Sequence, residues 1–351
     1  MKHIISSFVP QAGKHSATCS VRQLLTHHGM MLSEEMIFGL ACGFQFYYFE
    51  YKGMNYPLIG GRIKPKNFEE NFARHSRIDL LVHRSQSEQK SMKQIVENIV
   101  RDEPVMVYVD MGELSYLHLP SGYHNGAHSV VVFGVDEEEG IIYLSDRDQI
   151  GYAITYSPEE QPQDFHQVPI AEFTKARASR YRPFPPENAW VELNTKTLIQ
   201  PRRNQIFSAI RENMYHYLNP PLENMGLSGI RFFARTLNEW QYWGANKLHE
   251  SAFYAFVNID QIGGTGGGAF RKMYGQFLIE SAIIAASPAL GAIGEQFLFL
   301  AEQWDDVAKL FYTIYQGEQP GLLENIQVHL EQISSFEEGL ANQLVTVIGT
   351  A

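Results

Sequence analysis

The chain has 351 residues, 44% hydrophobic and 19% charged, and 28 basic against 39 acidic side chains give a formal net charge of −11. This is the composition of an ordinary globular protein long enough for two domains. The acidic balance argues against a nucleic-acid partner held by phosphate contacts, though not against a local basic groove.

A helical spacing begins at Ser16, runs through Val21, Leu24, Leu25 and His28, and stops at Gly29. Ser33 reads as the N-cap of a second short helix to Leu40, with Glu34 and Glu35 in the first turn where the helix dipole favours acids. Residues 43–51 are aromatic enough to be a strand. Residues 55–62 read as a loop, 67–75 as a helix, 78–83 as a strand, 91–101 as a helix and 104–111 as a strand. A polar, aromatic loop follows over 114–126. The apolar run 128–135, the acidic turn 136–140 and a second strand ending at Asp146 read as a hairpin. After a helix over 169–177 and a proline-rich boundary at 182–190, the period changes to helical over 204–218, 227–243, 247–256, 270–286 and 289–315. The expected fold class is α+β, with a mainly α-helical second half.

His15, Gly29, Leu32-Ser33-Glu34, Phe38-Gly39-Leu40 and the aromatic run 44–49 carry a resemblance. Their order is similar to that of the N-terminal domain of the butirosin biosynthesis protein H family. That domain is itself similar to papain-like cysteine peptidases, including those that trim double-glycine leaders from bacteriocins. The stretch GTGGG, followed by Phe270, Arg271, Met273 and Tyr274, resembles a mark of the helical domain that follows it in many relatives. The resemblance implies a papain-like (cysteine-peptidase-like) N-terminal domain over 1–190 and a helical C-terminal domain over 191–351.

A papain-like site needs a nucleophile at a helix start, a histidine on a neighbouring strand and an acid that orients it. The resemblance makes His128 the general base and Asp146 its orienter, with Asp148 as the fallback. The family has a His-Cys pair thirteen residues before the glycine; counting back from Gly29 lands on Ser16, and Cys19 lies three residues further on. Ser16 fits the position, and its plain alternative is an N-cap. Cys19 is chemically the stronger nucleophile and shares a helix face with Ser16, and its plain alternative is a small core residue. A site altered by loss of a cysteine is the third option. Gln11 or His15 is a candidate oxyanion donor. Asp110 is a candidate amine binder or a solvated strand end. His124 and His128 make no metal set. The glycines at 263–268 suit a phosphate cradle or a tight turn that allows close packing, and without a Gly-Lys-Ser/Thr ending they are no P-loop. A further option is that Arg271 meets the phosphate of a phosphopantetheine arm.

The family's founding relative is an acyltransferase that moves an aminoacyl group from an acyl-carrier protein to the amine of an aminoglycoside. The activity this implies is amide formation by a ping-pong route in specialised-metabolite biosynthesis. The alternatives are a peptidase or amidase using water as acceptor, and a non-catalytic scaffold that lost its nucleophile. No cofactor is expected beyond the phosphopantetheine thioester carried by the donor. Expected partners are an acyl-carrier protein or other acyl thioester, a small-molecule amine and a second copy of the chain, with Arg177, Arg180 and Arg182 as a basic patch for docking. Cys19 and Cys42 make no disulfide framework, residues 1–13 lack a signal peptide's apolar core, and the run 281–301 is broken by Pro288 and Glu295. These features lead to the expectation of a cytoplasmic protein, without nucleic-acid or membrane partners.

Overall fold

The computed structural model describes residues 1–52, 54–119, 121–147, 165–317 and 321–349. In chain order the first elements are β1 (Lys2–Ile4), α1 (Ser16–His27), α2 (Glu34–Leu40), β2 (Phe44–Phe49) and β3 (Leu58–Arg62). They are followed by α3 (Asn67–Ser76), β4 (Leu80–His83), α4 (Glu88–Val100), β5 (Val105–Val109), β6 (His128–Asp136) and β7 (Ile141–Ser145). Next come β8 (His166–Pro169), α5 (Ile170–Ala178) and β9 (Trp190–Leu193). The remainder is helical: α6 (Arg203–Leu218), α7 (Gly226–Trp240), α8 (Ala245–Ile259), α9 (Arg271–Ile284), α10 (Pro288–Tyr315) and α11 (Leu322–Gly349). The expected α+β class with a helical second half is therefore observed. The chain folds as two compact units, one of Met1–Ile37 with Pro65–Ile199 and one of Phe38–Lys64 with Gln200–Ala351.

The described residues of the first unit build a seven-stranded sheet in the order β4-β9-β5-β6-β7-β8, with β1 also paired to β6. Every pairing is antiparallel. β5 and β6 are buried along their whole length, which is why their sequences run apolar without a polar alternation. Helix α1 lies on one face, with Ser20 Oγ 3.2 Å from Ser129 Oγ and Gln23 Oε1 accepting from Ser145 Oγ at 2.7 Å. These two contacts set α1 running in the direction of β6. Its N-terminus consequently overhangs the end of the sheet where β6 begins and β7 stops. That placement builds the site.

The second unit pairs β2 with β3, Tyr47 opposite Gly60 and Phe49 opposite Leu58, and packs α8, α9 and α11 against α10, with α6 and α7 against α11. Helix α10 starts with Pro288 at a position that needs no N–H, and buries Leu290, Ile293, Phe297, Leu300, Trp304, Val307 and Phe311 at helical spacing. At its centre the Arg271 guanidinium of α9 binds both carboxylate oxygens of Glu337 on α11, at 2.8 and 3.0 Å. Tyr217 of α6 also donates to Glu337, as does Trp304 of α10 at 2.8 Å.

Several elements differ from the sequence reading. Residues 58–62, read as loop, form β3, because pairing with an aromatic strand overrides the low strand propensity of two consecutive glycines. β1, β8 and β9 are too short for a periodic signal. Helix α11 lies beyond the last helix read from the spacing, although Ile326, Leu330, Ile333, Leu340, Leu344 and Ile348 carry the pattern. Among the described residues, no helix is long and apolar enough to cross a membrane.

Gly268 takes φ +54°, and a Cβ there would lie 2.5 Å from the Ala301 Cα. A Gly268→Ala substitution adds both backbone strain and overpacking, and is expected to destabilise the second unit by about 2 kcal/mol or more. Denaturant unfolding checks this as a lower midpoint at unchanged slope, and an unchanged midpoint would contradict it.

Candidate active site

Helix α1 begins at Ser16, and the residue before it, His15, is the N-cap in extended conformation with no side-chain cap bond. Ser16 is thus the first residue inside the helix, and the N-cap alternative for it does not hold. The cap comes from elsewhere. Glu34, the first residue of α2, accepts from the backbone N–H of Lys14 at 3.0 Å and of His15 at 3.1 Å, and from Thr18 Oγ1 at 2.7 Å. Ser33 caps its own helix as expected, accepting from Met36 N at 2.9 Å. The N–H groups of Ser16 and Ala17 donate to no other described residue, so the positive end of α1 is left open at Ser16.

The loop before α1 is tied to the end of β7. Gly13 N donates to Arg147 O at 2.7 Å, and Arg147 Nη1 reaches Lys14 O at 3.5 Å. Only glycine fits at 13, since a Cβ would lie 2.5 Å from Cys19 Sγ and 2.6 Å from Glu34 Oε1. Gln11 N donates to Gln23 Oε1 at 3.1 Å, the same oxygen that takes the Ser145 hydroxyl. Ser16 therefore stands between one point fixed beside Asp146 and another, at Ser20, fixed beside His128.

His128 opens β6 and Asp146 directly follows β7. They meet across the hairpin, His128 Nε2 donating to Asp146 Oδ2 at 2.8 Å, and both are buried. Asp146 also accepts from the Tyr116 hydroxyl at 2.8 Å and from Arg147 N at 2.6 Å. Burial alone would raise its pKa, but the charge and hydrogen bond of His128, with Arg147 and Tyr116, outweigh this and hold the carboxyl below its ordinary range. His128 Nδ1 has no hydrogen-bond partner among the described residues, and Ser16 Oγ is not bonded to it. Asp148 lies outside the described residues.

Cys19 sits one turn into α1, fully buried. Its thiol donates to Gln11 O at 3.3 Å and accepts from Gln23 Nε2 at 3.4 Å. Burial, with the Glu34 and Asp146 charges and against Arg22, pushes the thiol up to about 12. Buried and held by Gln11 and Gln23, Cys19 packs as a small core residue. Gln11 is half-buried, and its side-chain amide is bonded to no other described residue.

Three candidates fail on burial. Asp110 has no exposed surface, and its carboxylate is taken up by Gly112 N at 3.2 Å, Asn125 N at 2.9 Å, His124 Nδ1 at 2.9 Å and Ser179 Oγ at 2.5 Å. It organises the loop after β5 and has nothing left for an amine. Arg271 is equally sealed, with its guanidinium committed to Glu337 and carbonyl oxygens. The glycine stretch before it is a turn, where Gly268 N donates to Asp305 Oδ1 at 2.8 Å. A carboxylate holding that N–H leaves no phosphate cradle. Arg177 is buried on Ser91 Oγ and Asn188 O, and burial brings it down to about 9, so of the expected basic patch only Arg180 and Arg182 are exposed.

Glu34, Gln23 and Tyr116 shape the site, and nothing in the local sequence marks them as site residues. Each acts on a partner 12 to 122 positions away, a pairing that no local pattern announces.

Residues 15–147 match the family model described as butirosin biosynthesis protein H, N-terminal, and residues 171–344 match a domain of unknown function (DUF4872). The chain is similar in fold to a crystal structure of a Bacillus anthracis protein described, provisionally, as a C39-like peptidase. The identity is 12%, over 55% of this chain and 98% of that one, with a TM-score of 0.35. That likeness is too loose to carry an argument. No curated protein sequence matches the chain.

Burial raises the Cys19 thiol well above that of an unperturbed cysteine, so little thiolate is present at pH 8. Iodoacetamide should leave Cys19 unmodified in the folded protein and label it after denaturation, as read by peptide mass mapping. Labelling of native Cys19 at the rate of a free thiol would overturn its assignment to the core. The sign of the linkage follows: a thiol raised on folding supports the fold below its ordinary 9.0, and that support is lost as pH climbs from there towards about 12.

Proposed function

The chain carries a butirosin biosynthesis protein H N-terminal domain followed by a DUF4872 domain, and on that premise we propose that it is an amide-forming acyltransferase using Ser16, His128 and Asp146. The observation that supports this most is the buried His128–Asp146 pair, oriented through Nε2 with Nδ1 spare, at the sheet end that the open N-terminus of α1 overhangs.

In the proposed reaction Ser16 Oγ attacks the carbonyl carbon of an acyl thioester and passes its proton to His128 Nδ1. The N–H groups at the start of α1, with Gln11 as a second donor, hold the oxyanion. The C–S bond breaks, and the leaving sulfur takes the proton from His128. The acyl group is then an ester on Ser16. An amine attacks it, His128 accepts a proton from the amine nitrogen, and the C–O bond breaks as that proton returns to Ser16. The products are an amide and a free thiol. A thioester is already activated, so no nucleoside triphosphate is needed, and the reading assigns the phosphopantetheine arm to a carrier-protein donor.

Intact-protein mass spectrometry after incubation with a panel of acyl-pantetheine thioesters tests this. An acyl adduct on Ser16 is expected, discharged faster by amines than by water. Ser16→Ala should abolish it, while His128→Ala and Asp146→Asn should slow its formation by about a hundredfold to ten-thousandfold. Discharge at the same rate with or without amine would make the protein a hydrolase. No adduct from any thioester would reject acyl transfer.

A further inference from the structure

Tyr116 sits in a short 3-10 turn, Ser115–Leu117, within the loop between β5 and β6. That loop is pinned on both sides. Asp110 ties its two ends together through Gly112 N and Asn125 N. Beside Tyr116, both Ser115 N and Ser115 Oγ donate to Glu172 of α5, at 2.8 and 3.0 Å. The Tyr116 ring stacks on His166 of β8, with centroids 3.9 Å apart and planes 16° apart. From this seat the hydroxyl donates to Asp146 Oδ2 at 2.8 Å, the same oxygen that accepts from His128 Nε2.

We infer that Tyr116 is a positioning residue for the His128–Asp146 pair, its hydroxyl holding the Asp146 carboxylate in the one rotation that faces His128. A carboxylate has a broad, two-fold terminal torsion, and one hydrogen bond to a histidine does not fix it. Here three donors from three chain segments do: Tyr116 and His128 on Oδ2, Arg147 N on Oδ1. A phenol suits the role, since its hydroxyl donates to an anion and adds no charge. Arg147, His128 and the Cys19 thiol are the other charged or titratable groups that act on this carboxylate. The seat of the ring explains why the hydroxyl cannot drift: Glu172 fixes the turn and His166 fixes the plane.

The inference builds on the proposed acyl-transfer site, and the experiment separates the two. Tyr116→Phe removes one oxygen and keeps the ring on His166. The first readout is the low-field proton resonance of His128 Nε2–H, which requires no substrate; in Tyr116→Phe it should shift or broaden into exchange with water. The second is acylation of Ser16 by an acyl-pantetheine thioester, whose rate at saturating donor should fall about tenfold while KM stays within about twofold. In an Asp146→Asn background the same substitution should change the rate by less than about twofold, because no carboxylate remains to be held. An unchanged resonance and rate in Tyr116→Phe, or an undiminished effect in the Asp146→Asn background, overturns the inference. A resonance that responds to Tyr116→Phe in a protein that accepts no acyl group upholds Tyr116 and rejects acyl transfer.

Discussion

An ionised carboxylate in a dry interior is stable only when donors surround it, and Asp146 is where this protein meets that constraint. Its donors come from the start of β6, from the loop after β5 and from its own chain at Arg147. The β6–β7 hairpin must therefore close in its observed register, and the loop after β5 must fold back over the sheet end. Arg147, ordered by the same turn, then offers its carbonyl to Gly13. The overhang of α1 beyond the sheet follows from that bond and from the serine contact deeper along β6. One satisfied anion thus organises the strand end, the histidine and the helix start.

The second unit solves the same problem with a different outcome. Arg271 and Glu337 are as buried as Asp146, but every strong valence they have is answered by Tyr217, Trp304 and backbone carbonyls. Asp110 is closed in the same way by four donors. Such closed networks fix packing and have nothing to offer a ligand. The His128–Asp146 pair differs in one atom, since Nδ1 remains unclaimed by any described residue. That single open valence, beside the free N–H groups of a helix start, is what sets this pair apart from the closed networks and what the proposed function uses.

Much of this architecture was legible in the residues. The helix from Ser16, the hairpin from His128 and the change of period after Trp190 all follow from apolar spacing. Burial was not legible. Arg177, Arg271 and Asp110 are charged residues next to loops, the usual mark of an exposed side chain, and each is instead enclosed by elements distant in sequence. The strands β1, β8 and β9 escaped for a related reason, because three or four residues hold too few alternations to show a period. Tyr116 was one aromatic in a polar loop, and only the fold shows that its hydroxyl reaches an aspartate 30 residues on.

A serine at this helix start makes heavier demands than a cysteine would. A thiol is brought into its reactive form by a helix dipole and a neighbouring imidazolium alone, and the acid behind the histidine then matters less. A hydroxyl is not ionised at neutral pH and gives up its proton only as the new bond forms, so it depends on a neutral histidine already pointing the right way. In the proposed reaction orientation is then part of the chemistry, and Asp146, held from three directions, would supply it. At Cys19, burial and the Glu34 and Asp146 charges, against Arg22, push the thiol up.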